Sequence, residues 1–346
     1  MYENAFRYLD HEIEAGHLPG ASAAVVSARG VTEHHAGWRM LVPEKRRTEA
    51  DTLYDLASCT KVVATTTLSL QAMCEGLLSL SDPVVMYLPD FPHPDITIRH
   101  LLTHTSGLPG DDKAYRQCHG EKEMYAFICR LPLAYETGRD LIYSDFGFVL
   151  LGMILEKIYG QPLDVLAKEK IFSPLGMHDT GYCPRDALRC AATEKEEGRG
   201  VIVGEVHDGK AWRLGGISGN AGLFSSTKDL ALFIRAMLDE HNGVIPSSAI
   251  ALLRNYRTDG YCQRRTLGWF ADDQIHASFG DFASHDCLYH TGFAGASIYI
   301  DYNRQMGIVL LTNRIHPSRN QPWIIGIRNH FHNAVLAEFD QRRQSR

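Results

Sequence analysis

The spacing of apolar positions predicts a helix and then two strands at the start of the chain. Residues 2–16 alternate apolar and charged side chains at helical spacing, and a glycine and a Pro-Gly pair end the pattern. Residues 21–27 and 31–38 are short strand-like runs around an Arg-Gly pair, which is typical of a β-hairpin. A second helix is expected to follow Ser58 and to run to Gly76.

The other end of the chain also predicts β-structure. Residues 287–291, 296–301 and 306–312 are three further strand candidates, and a helix over residues 322–339 closes the chain. The simplest arrangement pairs both ends of the chain in one antiparallel sheet that is flanked by helices, which makes the fold class α+β.

Between these ends the pattern changes from strands to helices. The helical periods cover residues 124–131, 146–159, 163–171 and 228–238. Loops rich in Gly, Pro, His and Thr separate them. We therefore predict a discontinuous α/β sheet domain from residues 1–80 and 251–346, with a mostly helical domain inserted at residues 81–250. An active site is expected in the cleft between the two domains.

Composition excludes several kinds of function. The 346 residues are 45% hydrophobic and 22% charged with a net charge of -6, so the basic surface of a nucleic-acid binder is not expected. The longest apolar runs are too short to span a bilayer, and the N-terminus lacks a signal-peptide pattern, so we expect a cytoplasmic protein. The oligomeric state stays open.

The eight cysteines and 17 histidines predict neither disulfides nor a metal site. Cys-x-x-Cys spacing is absent from the sequence, which favours reduced thiols in a reducing compartment. A His-Glu-x-x-His motif is absent as well, so a catalytic metal is not expected.

The first candidate for chemistry is the Ser-x-x-Lys motif formed by Ser58 and Lys61. Residues three apart on a helix share one face, so a helical turn brings the serine hydroxyl beside the lysine amine. Burial disfavours the charged form of a lysine, so we expect its pKa to fall until it can accept the serine proton. The positive end of the helix would lie near the developing oxyanion.

A second Ser-x-x-Lys begins at Ser225, and about one such motif is expected by chance in a chain of this length. A serine before Lys-Asp-Leu-Ala-Leu-Phe is an ordinary helix N-cap, which explains this copy structurally. Downstream of Ser58 lie Tyr-Ser-Asp at residues 143–145 and then His-Thr-Gly at residues 290–292. The second copy has no Tyr-x-Asp between itself and His-Thr-Gly, so the order of the motifs favours Ser58.

The three motifs in this order resemble the signature of the penicillin-recognising serine enzymes. The sequence is similar to the serine β-lactamase and penicillin-binding-protein superfamily, on the class C and carboxylesterase side, which implies a β-lactamase/transpeptidase-like fold. The resemblance continues through residues 98–108 and 174–177. Residues 192–194, 204–208 and 215–225 are similar to a bacterial subgroup of D-alanyl-D-alanine carboxypeptidases and muropeptide amidases.

The resemblance implies a role for each matched residue. Ser58 attacks an acyl carbon, and Lys61 with Tyr143 moves the proton, first as base and then as acid to the leaving group. The backbone N–H groups of Ser58 and Phe293 form the oxyanion hole. Water then releases the acyl-enzyme without a metal or an organic cofactor. The residues expected to contact the substrate are Asp145, His207, His290, Thr291 and Gly292.

Two positions depart from the pattern of the penicillin binders. Position 290 is His where those proteins usually carry Lys, and a histidine is charged only when its pKa allows. Position 145 is Asp where they usually carry Asn, and an aspartate near Lys61 would favour the ammonium form and leave Tyr143 more of the base role. Both changes weaken the expectation of efficient β-lactam hydrolysis.

Two histidines have structural alternatives. His104 lies in a Thr-His-Thr-Ser-Gly turn, where a hydrogen-bonded structural role is favoured over catalysis. His207 could contact the substrate or brace a loop together with Asp208. The subgroup usually has His where Asn220 stands, so this position departs from its pattern.

The sequence therefore predicts a serine hydrolase that acts through an acyl-enzyme on small esters or on D-amino-acid or muramyl-peptide amides. A β-lactamase is the first alternative, and a penicillin-binding-type sensor that is acylated without turnover is the second. An α/β-hydrolase is disfavoured because Gly-x-Ser-x-Gly is absent. The expected partner is a small-molecule or peptide substrate.

Overall fold

The computed structural model describes residues 1–239, 241–272 and 279–344. Its strands are β1 Gly20–Ser27, β2 Gly30–Met40, β3 Arg46–Arg47, β4 Tyr54–Asp55, β5 Gly181–Tyr182, β6 Lys195–Glu196, β7 Gly200–Val201, β8 Leu223–Ser225, β9 Cys287–Thr291, β10 Ser297–Asp301 and β11 Met306–Thr312.

The α-helices alternate with short 3₁₀ and π segments. The α-helices are α1 Glu3–Glu14, α2 Thr67–Cys74, α3 Ile98–Leu102, α4 Glu121–Arg130, α5 Asp145–Tyr159, α6 Leu163–Ala167, α7 Ser173–Leu175, α8 Gly209–Arg213, α9 Thr227–Leu238, α10 Ser247–Asn255 and α11 Ile324–Gln344. The 3₁₀-helices are Ala57–Cys59, Val84–Met86, Lys113–Gln117 and Ala187–Arg189, and the π-helices are Lys61–Thr66 and Lys168–Phe172.

One antiparallel sheet joins the two ends of the chain, in the order β3-β2-β1-β11-β10-β9. β1 pairs with β11 so that Ala24 lies opposite Val309, and β10 pairs with β9 so that Ile298 lies opposite His290. The predicted hairpin is confirmed, because β1 and β2 pair directly across a tight turn. The predicted α+β fold with an antiparallel sheet between helices is confirmed as well.

The strands β1, β9, β10 and β11 are buried on both faces, which is why they are recognisable from apolar runs. Successive side chains of a strand point to opposite faces. Ala23 and Val25 of β1 belong to the core that includes residues of α1 and α11, whereas Ala24 and Val26 belong to the core that includes α9. Every residue of β11 is buried.

The helical part is built around α5, in which every residue from 146 to 155 is buried. α5 packs against α2, α3 and α6. α9 lies within the predicted inserted domain and packs against β1 and β11. The division of the chain into two domains stays a prediction.

The helix predicted from Ser58 to Gly76 begins differently from the expectation. Ser58 lies in a 3₁₀-helix, and a π-helix precedes α2. The Thr67 hydroxyl donates to the carbonyl oxygen of Val62, 2.9 Å away and five residues earlier, which suits the wider π turn. Within the described residues, no helix has both the length and the apolarity that crossing a bilayer requires.

Candidate active site

A strained turn presents Ser58 at the end of the short strand β4. Ala57 adopts a φ of 46°, a conformation that residues other than glycine rarely adopt. Asp55 holds this turn, because its Oδ1 accepts the N–H of Ala57 at 2.8 Å and its Oδ2 accepts the N–H of His207 at 2.8 Å. Burial raises the pKa of Asp55, and these two hydrogen bonds offset only part of that rise. The carboxyl group of Asp55 therefore joins the serine turn to the segment that carries His207.

Lys61 lies directly beneath Ser58 and is completely buried. Its Nζ donates to Ser58 Oγ at 3.1 Å, to Asp145 Oδ1 at 2.7 Å and to the carbonyl oxygen of Asn220 at 3.0 Å. Three acceptors match the three N–H bonds of an ammonium group. Burial is the largest single influence and lowers the pKa of Lys61, but Asp145 and Tyr143 together raise it by more, so the net shift is upward. The expectation of a lowered lysine pKa is wrong, because Asp145 supplies a charge partner that offsets burial.

Tyr143 lies on the same side of Ser58, just before α5. The centroid of its ring is 4.9 Å from Lys61 Nζ and 4.4 Å from that of the His104 ring. Its hydroxyl makes no hydrogen bond of ordinary geometry with a described residue. Burial raises the pKa of Tyr143, and the charge of Lys61 lowers it by less. Both candidate proton carriers, the phenol and the ammonium group, are therefore protonated near neutral pH.

His104 has the structural role that the sequence favoured. Its Nδ1 accepts the N–H of Ser144 at 3.1 Å, and its carbonyl oxygen accepts the N–H of Ile142 at 3.1 Å. The two hydrogen bonds flank Tyr143, and the imidazole packs against the tyrosine ring. His104 therefore fixes the position of the Tyr-Ser-Asp segment.

The His-Thr-Gly motif lies at the end of the edge strand β9. His290 is 1% exposed, and burial together with the charges of Arg265 and Lys61 lowers its pKa far below the usual value. The imidazole is therefore neutral, so it can bind a polar group of the substrate through a hydrogen bond but not through an ion pair. The backbone of Gly292 passes so close to Leu56 that a Cβ would lie 2.3 Å from the leucine carbonyl oxygen. Only glycine fits at that position.

A buried arginine on this side of the cleft, Arg265, was missed by the sequence reasoning. Its side chain is buried, and its guanidinium carbon lies 3.6 Å from the centroid of the Phe270 ring and 5.3 Å from that of Tyr143. Arg265 belongs to none of the recognised motifs, so the sequence carries no signal for it.

The predicted oxyanion hole consists of two backbone N–H groups, those of Ser58 and Phe293. Neither group donates a hydrogen bond to another described residue. The carbonyl oxygen of Phe293 accepts Arg314 Nε at 2.8 Å, and the Phe293 ring stacks on His207 with centroids 5.7 Å apart. His207 is thus a brace for the Phe293 loop, and its contact with substrate stays a prediction.

Two carboxylates and one imidazole, those of Glu194, Glu196 and His207, lie within 4.8 Å of one another, a spacing that suits metal ligands. His207 Nε2 lies 2.9 Å from Glu194 Oε2, and Arg319 forms ion pairs with both glutamates. Burial raises the pKa of Glu194, but hydrogen bonds from Arg319 and His207 lower it to about 2. The guanidinium group of Arg319 already supplies the positive charge that these acids require.

All but one of the predicted site residues line a single cavity of about 1470 Å³. Lys61 is the one predicted site residue that lies below the cavity wall, under Ser58. The predicted residues that line the cavity are Ser58, Tyr143, Asp145, His207, His290, Thr291, Gly292 and Phe293. Residues from four separate parts of the sequence thus face the same space.

The fold, with a Ser-x-x-Lys turn, a Tyr-x-Asp segment and a His-Thr-Gly strand around one cavity, defines a serine hydrolase of the acyl-enzyme class. The chain belongs to the β-lactamase family, whose sequence profile, described as Beta-lactamase, matches residues 5–328.

Known proteins of two kinds are similar to this chain. A protein of Bacillus subtilis (strain 168) named N-acetylmuramyl-L-alanine amidase is 32% identical over 358 aligned residues, which cover 89% of this chain and 80% of the relative. Solved structures share the fold at lower identity. A class C β-lactamase in complex with cefoxitin matches with a TM-score of 0.79 at 20% identity, covering 97% of this chain and 98% of that one. EstCE1, a hydrolase with promiscuous acyltransferase activity, matches with a TM-score of 0.76 at 20% identity, covering 96% and 98%.

Replacing Asp55 by asparagine is expected to lower kcat by about 100-fold, because misplaced oxyanion donors cost this much in other acyl-transfer enzymes. An amide has only one acceptor oxygen, so one of the two buried N–H groups loses its partner, at a cost of about 1–3 kcal/mol in the free energy of unfolding. Ester hydrolysis and thermal melting measure the two effects. Asp186→Asn is the matched control, since Asp186 caps an exposed 3₁₀-helix. A wild-type kcat for Asp55→Asn would show that the serine turn does not depend on this carboxylate.

Proposed function

We propose that this hydrolase cleaves small esters and amides of D-amino-acid or muramyl-peptide type through an acyl-enzyme on Ser58. The observation that carries the proposal is the 3.1 Å contact between Lys61 Nζ and Ser58 Oγ at the base of the cavity. Lys61 and Tyr143 both lie beside the hydroxyl group whose proton must leave.

The chemistry follows from this arrangement. Ser58 Oγ bonds to the acyl carbon while its proton passes through Tyr143 and Lys61 to the nitrogen or oxygen of the leaving group. The N–H groups of Ser58 and Phe293 stabilise the negative charge on the acyl oxygen. A water molecule then attacks the ester carbon, one of its protons returns to Ser58 Oγ, and the carboxylic acid is released.

The charge on the cavity wall supports an anionic substrate such as a peptide fragment with free carboxylates. Lys113, Arg116 and Lys195 line the cavity and form no ion pair with a described residue. The Bacillus subtilis relative is named for an amide of muramic acid, which supports a muramyl-peptide amide as the first substrate to test. The neutral His290 and the anionic Asp145 favour such amides and esters over β-lactams.

We also propose that the protein meets its substrate in the cytoplasm. All eight cysteines are described, and all are free thiols. Unpaired cysteines in such number are typical of proteins from reducing compartments.

A panel of four substrates tests the proposed function. The wild type is incubated with p-nitrophenyl acetate, N-acetylmuramyl-L-alanine, a D-alanyl-D-alanine peptide and nitrocefin. We expect sustained turnover of the ester and cleavage of at least one of the two amides, with slower hydrolysis of nitrocefin. A single stoichiometric burst on all four would instead support the sensor. Fastest turnover of nitrocefin would support a β-lactamase.

A further inference from the structure

A second lysine, Lys210, shares the carboxylate of Asp145 with Lys61. Asp145 Oδ1 lies 2.7 Å from Lys61 Nζ, and its Oδ2 lies 3.2 Å from Lys210 Nζ. Lys210 Nζ is also 2.9 Å from Asp111 Oδ1. The four groups form a chain of alternating charge that runs from the base of the cavity to its rim.

Lys210 is held in place rather than loosely exposed. Its side chain is 6% exposed, and its ammonium group lies over the rings of Tyr115 and Phe146, 4.8 and 5.4 Å from their centroids. It belongs to α8, whose first turn is capped by Asp208. The same Oδ1 of Asp208 accepts the side-chain N–H of Asn220, the residue whose carbonyl oxygen contacts Lys61. The two lysines are therefore fixed relative to each other through both Asp145 and Asn220.

We propose that Lys210 is a positioning residue that, by sharing Asp145 with Lys61, sets the pH above which Ser58 becomes acylated. This inference rests on the proposed function. The negative charge of the Asp145 carboxylate raises the pKa of Lys61 and that of Tyr143. A second cation on the same carboxylate opposes that effect, because like charges close together disfavour each other.

The direction of the effect is the same for either proton carrier. When the Lys210 charge is removed, the negative charge of Asp145 acts on Lys61 and Tyr143 without opposition, so both groups keep their protons to higher pH. When the Asp145 charge is removed, Lys61 and Lys210 are two cations without a carboxylate between them, so Lys61 and Tyr143 lose their protons at lower pH. Burial raises the pKa of Asp145, and Lys61 and Lys210 lower it by more, so the carboxylate is ionised throughout this range.

Other polar groups around Lys61 do not titrate near neutral pH. The imidazoles of His104 and His290 are neutral because burial lowers their pKa values well below the usual value, and burial raises the pKa of the Cys59 thiol to about 12. Arg265 keeps its charge throughout. The remaining charged and titratable groups that face the two lysines are Asp111, Tyr115, Tyr143, Asp145 and Asp208.

The test is the pH dependence of the acylation burst with p-nitrophenyl acetate. Lys210→Met keeps an aliphatic stem against the two rings. For this variant we expect the acid limb of the plot of burst rate against pH to move up by about one pH unit, so that the burst is about tenfold slower on that limb. For Asp145→Asn the limb should move down. Lys210→Arg is the matched control, because it keeps the charge and should keep the limb near its wild-type position.

A purely structural Lys210 predicts a lower melting temperature with an unmoved acid limb, and that result overturns the inference. Should Lys210→Met not fold, Asp111→Asn tests the same chain of charges from its exposed end, since Asp111 is 56% exposed. Loss of that negative charge should move the limb to lower pH, and an unmoved limb contradicts the proposal. A wild-type protein without any burst contradicts the proposed function instead.

Discussion

Replacing Ser58 by alanine is expected to lower kcat for ester hydrolysis by about 10⁴- to 10⁶-fold, as removal of the nucleophile does in other serine hydrolases. The cavity, the predicted oxyanion N–H groups and the proton carriers all remain, but the oxygen that forms the acyl bond is absent. Intact-protein mass spectrometry of a quenched reaction should show the acyl adduct on the wild type and none on the variant.

Ser225→Ala is the matched control, because Ser225 begins the other Ser-x-x-Lys of the chain. Ser225 is buried in β8 and its hydroxyl lies 2.8 Å from that of Thr180, whereas Ser226 caps α9 through a hydrogen bond to the N–H of Asp229. We expect this variant to lose about 1 kcal/mol of stability with its buried hydrogen bond and to keep its kcat. Undiminished hydrolysis by Ser58→Ala, or loss of activity in the control alone, would exclude Ser58 as the nucleophile.

Replacing Tyr143 by phenylalanine is expected to slow acylation by about 10³-fold, a typical contribution of a positioned general acid–base group. Lys61 is held as an ammonium ion by Asp145, so it is a poor substitute for the phenol oxygen as the first acceptor of the Ser58 proton. The variant keeps the ring that packs against His104 and Lys61. Its melting temperature should therefore stay close to that of the wild type, since the buried hydroxyl makes no hydrogen bond of ordinary geometry with a described residue.

Rapid-quench measurement of the burst separates acylation from later steps, and thermal melting confirms that the fold is intact. Tyr182→Phe is the control, because the Tyr182 hydroxyl donates to the carbonyl oxygen of Ser218 at 3.2 Å and does not line the cavity. An undiminished burst in Tyr143→Phe would leave Lys61 as the base and would require its ammonium group to lose a proton in spite of Asp145.

Local patterns were sufficient to identify the longer strands and helices and the motif residues. The hairpin, the terminal strands and the long helix α5 have apolar spacing that reflects their own burial, so no distant contact is needed to recognise them. Ser58 and Lys61 are three residues apart, and this short separation places the amine beside the hydroxyl even though the segment forms 3₁₀ and π turns rather than an α-helix.

The protonation of the site could not be predicted in the same way. Burial alone lowers the pKa of a lysine, and the opposite net shift of Lys61 depends on Asp145, 84 residues further along the chain. The neutral state of His290 likewise depends on its burial and on Arg265, which no motif marks.

The sequence by itself determined the fold class, the family resemblance and the order of the Ser-Lys, Tyr-Asp and His-Thr-Gly motifs, because these are properties of short segments. Only the tertiary structure decided the protonation states of the side chains in those segments. Lys210 meets Asp145 across 65 residues, and the carboxyl group of Asp55 accepts the backbone N–H of His207 across 152 residues. Electrostatic energies depend on distances and burial that exist only after the chain has folded.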